Sequence, residues 1–147
     1  ALQDALRDVG AEIDLDALVP FARWQPSSSE KVARVFDTRF YLARYPDACP
    51  EPTVDATENV RLFWASAQEV LGRAEQGVER VIFPTRRNLE RLAQFDSFDA
   101  ASAHARSIPV EKVTPWIEER ADGQFLCIPE HLGYPITSEN LNDAMRG

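Results

Sequence analysis

The clearest hydrophobic pattern in the chain is the alternation over Val35–Arg44. Phe36, Thr38, Phe40 and Leu42 fall on one face, and Asp37, Arg39, Tyr41 and Ala43 on the other. β-branched and aromatic residues dominate it, so the pattern predicts a half-buried central strand whose second face meets something polar. Leu18–Trp24 is a second strand, but Pro20 marks it as an edge or a bulged start. A third alternation over Glu58–Trp64 puts Val60, Leu62 and Trp64 on one side. Val113–Glu118 and Gln124–Ile128 read as two strands joined at Asp122-Gly123, a hairpin signal.

Helical spacing fills the remainder. Leu2, Ala5, Leu6 and Val9 make one stripe that Gly10 stops. No capping residue precedes that stripe, so the chain is expected to continue upstream in the complete protein. Ser66 with Glu69 forms a capping box at the head of a helix that Gly77 ends. Pro84 and Thr85 open a helix with Leu89, Leu92 and Ala93 as its buried stripe, and Arg86 spaced to pair with Glu90. Ser97 caps Phe98–Arg106, and Thr137 or Ser138 caps a last helix to Arg146. The predicted fold is one α+β domain over residues 1–147, with about five strands in a mixed or antiparallel sheet.

Composition narrows the function. A net charge of -8 argues against a general nucleic-acid binder, which needs clustered Lys and Arg. No apolar run is long enough to span a bilayer, and no signal peptide opens the chain; a cytoplasmic protein is expected. Cys49 and Cys127 lack metal-ligand spacing and read as free thiols in a reducing compartment. Neither His104 nor His131 has a second ligand at metal spacing. No serine or cysteine stands in an order that suggests a triad.

Several residues have phosphate-binding chemistry, each beside a plainer explanation. Arg39 presents a guanidinium from the polar strand face, or pairs with a neighbouring-strand carboxylate or with Asp37, whose role is structural. Tyr41 beside it is placed to stack a ligand. Thr85-Arg86-Arg87 stands at a helix N-terminus, where free N–H groups attract anions; otherwise it is a capped surface helix. Trp24, Trp64 and Trp116 can stack a base, although strand aromatics usually pack inward.

Taken in order, Trp24 and Pro26, then Phe36-Asp37-Thr38-Arg39-Phe40, Glu58 ahead of Trp64, Pro84-Thr85 and Leu92-Ala93 form a recurring set. Phe95–Ala100 and the hairpin with Ile128-Pro129 continue it. The set resembles the C-terminal part of Nudix hydrolases of the coenzyme A diphosphatase type related to the mammalian peroxisomal enzyme, from roughly Leu15 to Tyr134. The resemblance implies a Nudix-like α/β/α sandwich, Mg²⁺ or Mn²⁺, and cleavage of a diphosphate bond in a nucleoside-diphosphate-linked compound such as coenzyme A. It makes Glu58 a candidate catalytic residue that binds the metal or positions the attacking water, the alternative being a solvated acid at a strand end. Arg39, Tyr41, Thr85 and Arg86 become candidate substrate contacts. The Nudix box of glutamates at helical spacing is missing; Glu118-Glu119 is the sole adjacent glutamate pair and sits in the predicted hairpin. The box is therefore expected in an upstream segment or a second chain. The alternative is a non-catalytic Nudix-like module for ligand binding or assembly.

Overall fold

The computed structural model describes residues 2–8, 10, 12, 14–26, 36–46, 48–54 and 61–145. It is a mixed α+β fold. In chain order come α1 (Leu2–Asp8), β1 (Val19–Trp24), β2 (Thr38–Leu42), α2 (Ala67–Glu75), α3 (Phe83–Leu92), α4 (Phe98–Ser107), β3 (Lys112–Val113), β4 (Trp116–Arg120), β5 (Gly123–Cys127), β6 (Ser138–Asn140) and α5 (Leu141–Ala144).

The strands form two three-stranded sheets rather than one. In the first, β1 is central, with β2 antiparallel on one side and β3 parallel on the other. This reverses the expected roles, since β2 is an edge and the proline-containing strand is the centre. Pro20 is tolerated because the register shifts between Pro20 and Ala22, a bulge with Phe21 as its extra residue. A bulge is where a strand can do without a ladder N–H.

The second sheet is antiparallel, in the order β4-β5-β6. The strand expected over Val113–Glu118 is two strands in two sheets. Thr114-Pro115 separates them, and Pro115 has no N–H to continue either ladder. The hairpin β4–β5 pairs Arg120 with Gly123, so its two-residue loop is Ala121-Asp122, one residue before the expected Asp122-Gly123, and Gly123 opens β5.

Local signals otherwise hold well. Ser66 Oγ accepts from the Glu69 amide at 3.2 Å, and Glu69 accepts in return from the Ser66 amide at 2.6 Å. Gly77, at φ 72°, supplies the left-handed residue that stops α2. Ser97 caps α4 through the Ala100 amide.

Three elements differ from expectation. Residues 61–66 are irregular rather than a strand. Arg61 and Arg73 both pair with Glu79 and flank the Phe63 ring, which holds this stretch against α2 instead of in a ladder. Thr137 and Ser138 do not cap the last helix; Asn140 does, through the Asn142 amide, and Ser138 belongs to β6. On α3 the leucines are only half-buried, and Phe83, Arg87, Asn88 and Arg91 take the interior.

One apolar cluster joins the two sheets. Val19, Phe21, Ala22, Trp24 and Val113 from the first meet Leu126 of β5 in the second and Ile128, Leu132 and Tyr134 of the segment that follows it, with Phe83 from α3, Ala105 from α4 and Ala144 from α5.

Candidate functional site

Strand pairing assigns the faces of the first sheet. Trp24 stands opposite Thr38, and Ala22 opposite Phe40, so these share the face turned to the core. That face does not close fully. Beyond Trp24 the chain runs through Gln25 and Pro26, and a cleft of about 490 Å³ opens between this end of the sheet, the start of α3, Leu126 of β5 and Met145 after α5. Phe36, Phe40, Ile82, Phe83, Pro84 and Pro115 make its walls largely apolar. Gln25, Thr38, Arg80 and Thr85 are its polar members. Such a volume and lining suit an organic ligand, for which pockets run roughly 300–1,000 Å³.

Trp24 is the floor. Its ring meets Phe83 edge-on at 6.1 Å and Tyr134 at 5.7 Å. Its Nε1–H donates to the Tyr134 hydroxyl at 2.9 Å, and that hydroxyl donates to Asn88 Oδ1 at 3.1 Å. Burial pushes the Tyr134 phenol up from its ordinary value, which keeps the hydroxyl protonated as this relay requires.

Below the relay, α3 carries buried cations. Arg91 donates to the Phe21 carbonyl at 2.8 Å and lies over the Phe21 and Tyr134 rings. Its Nε faces His104 Nε2 at 3.4 Å. Gly133, at φ 77°, makes room for this contact, because a Cβ there would stand 2.6 Å from His104 Nε2. Burial first, and the Arg91 charge second, push the His104 imidazole below its ordinary 6.5. The unfolded chain therefore binds the proton more readily than the folded one. Stability is expected to be complete above pH 6.5 and to fall as the pH drops from there toward the lowered folded value. Melting temperatures across that window check this. His104→Gln, which keeps an acceptor but cannot titrate, should flatten the curve, and an unchanged slope would remove His104 as its source.

The sequence candidates do not converge. Thr85 lines the cleft, whereas Arg86, next in the same turn, does not. Glu90 pairs with Arg87 at 3.0 Å rather than with Arg86. Arg39 and Tyr41 line a smaller hollow on the opposite face of the first sheet. Asp37 is engaged by Arg23, not Arg39, through two bonds of 2.8 and 2.6 Å. Those bonds hold the Asp37 carboxyl below the usual carboxylate range. Glu58 lies outside the described residues. Of the tryptophans only Trp24 is core; Trp64 and Trp116 are 64% and 46% exposed.

Among the described residues no three His, Cys, Asp or Glu side chains converge as a metal site. The donors present there do not fit Mg²⁺ or Mn²⁺, which take several oxygen ligands. Among the same residues no helix is long and apolar enough to cross a membrane. Sequence reasoning missed Gln25, Arg80, Ile82 and Met145 as cleft residues, and no local pattern marks them. Compared with known proteins, the chain matches no family model, no curated protein and no solved structure.

Proposed function

We propose that this chain is a Nudix-like ligand-binding module whose cleft takes the apolar or aromatic part of an organic ligand. One observation carries the reading. Trp24, Pro26, Phe36, Thr38, Phe40, Pro84 and Thr85, distant in sequence and all part of the family resemblance, line the same cleft.

The same convergence favours a second reading, that of the substrate-side part of a diphosphate hydrolase acting on a compound such as coenzyme A. That reading needs Mg²⁺ or Mn²⁺ and carboxylates beyond the described residues, in an upstream Nudix-box segment or a second chain; Glu58 would join them. A cytoplasmic location, a sandwich completed by that segment and a domain spanning residues 1–147 belong to this proposal.

Calorimetric titration with coenzyme A, with and without Mg²⁺, of this chain and of the complete gene product with any co-purifying partner, separates the two. The binding module is expected to bind saturably without metal and to release no product. Metal-stimulated cleavage would move the assignment to the hydrolase, and absence of binding would remove both. Ile82 is 58% exposed beside the cleft, so Ile82→Glu spares the fold. It should weaken binding by about tenfold or more, because the carboxylate would be desolvated against the ligand.

A further inference from the structure

The face of the first sheet turned away from the cleft carries a row of cations that crosses all three strands. Arg39 of β2 stands opposite Arg23 of β1, and Arg23 stands opposite Lys112 of β3. Like charges placed directly across a ladder oppose each other. Three together, in a chain of net charge -8, call for an anion.

The protein supplies one. Asp37 forks onto Arg23 and is accounted for by that contact. Lys112 Nζ donates to Gln25 Oε1 at 2.9 Å, a neutral acceptor, and Lys112, like Arg39, acts on the Asp37 carboxylate through charge without bonding it. Glu111, its neighbour in sequence, faces His131 at 3.1 Å. Arg39 makes no hydrogen bond or ion pair to another described residue. Arg39 borders a hollow of about 210 Å³ with Arg23, Tyr41, Pro20 and Val110. Tyr41, two residues along the same strand, is 47% exposed on the same face.

We propose that this hollow binds the phosphoryl group of a phosphate monoester, with Arg39 as its main contact and the organic part lying over Tyr41. Two arguments select phosphate. A guanidinium fork matches its oxygens bidentately. Its charge near neutral pH, approaching two, suits a row of three cations around one carboxylate, of which Arg23 and Arg39 line the hollow and Lys112 stands one strand further on. The site is separate from the cleft and does not rest on the function proposed for it.

Phenyl phosphate titrated into the 147-residue chain tests the proposal, read from the backbone amide shifts of Arg23, Arg39, Tyr41 and Lys112. Saturable shifts are expected, competed by inorganic phosphate and weakened about tenfold or more in Arg39→Ala, an exposed substitution. Ile82→Glu should leave them unchanged. No saturation, equal affinity in Arg39→Ala, equally tight phenyl sulfate, or loss in Ile82→Glu alone would each overturn the site.

Discussion

Replacing Trp24 with alanine is expected to cost about 3–5 kcal/mol, the range for emptying a buried aromatic position. Trp24 is 3% exposed and touches the ring of Phe83 from α3 and that of Tyr134 beyond β5. Its loss therefore opens the floor of the cleft and removes the contacts that tie β1 to α3 and to the segment after β5 within the shared core. It also removes the donor to the Tyr134 hydroxyl. A domain of this size commonly has about 5–15 kcal/mol in all, so the variant should be near or past its unfolding midpoint at modest urea. Trp24→Phe separates the two contributions. It keeps most of the apolar area and gives up the hydrogen bond, so its cost should be about 1–3 kcal/mol. Urea unfolding followed by circular dichroism orders the three proteins. Fluorescence supplies an independent check, because Trp64 and Trp116 are exposed and Trp24 alone should emit from an apolar setting. If Trp24→Ala unfolded with the native midpoint, the tryptophan would not be the keystone of the joined core.

The elements that were legible in the sequence are those whose physics is local. The capping box at Ser66 and Glu69 closes within four residues, and the β4–β5 turn within two. Alternation along β2 correctly put Arg39 and Tyr41 on one face and Phe40 and Leu42 on the other. What alternation could not give was the order of strands. Pro20 looks like an edge marker, but the bulge beside it makes a central position tolerable. That bulge is defined by pairing with β2, which lies beyond a long connection. The site divides in the same way. The face occupied by Arg39 follows from strand period, yet its separation from Thr85 depends on how α3 sits against the sheet. Cleft residues such as Ile82 and Met145 carry no sequence signal, since an exposed apolar side chain is ordinary until a cavity forms beside it.

The interior of α3 is the largest departure from sequence logic, and it yields the second strong effect. A stripe of leucines was expected inside, but Arg87 is 1% exposed. Its partners, Glu90 at 3.0 Å and Glu139 at 3.2 Å, explain why. Glu139 belongs to β6, so no helical period could have revealed it. Removing one member of a buried ionic group leaves the others uncompensated, which typically costs about 3–5 kcal/mol. Arg87→Ala is therefore expected to destabilise by about that amount near neutral pH.

The pH dependence identifies the cause. Burial, and Glu139 to a lesser extent, already raise the Glu90 carboxyl, and Arg87 opposes that rise more than Arg86 does. Without Arg87 the folded-state value climbs further above the unfolded one. The folded variant then binds more protons than the unfolded chain, so its stability is kept at acidic pH and lost as the pH rises through the folded value. The deficit of Arg87→Ala should accordingly be smaller near pH 5 than near pH 7.5. Arg87→Met combined with Glu90→Gln removes a charge of each sign and should recover much of the loss, giving a non-additive cycle. A deficit independent of pH, with additive energies in the double variant, would show that Arg87 acts through packing and not through the charges it neutralises.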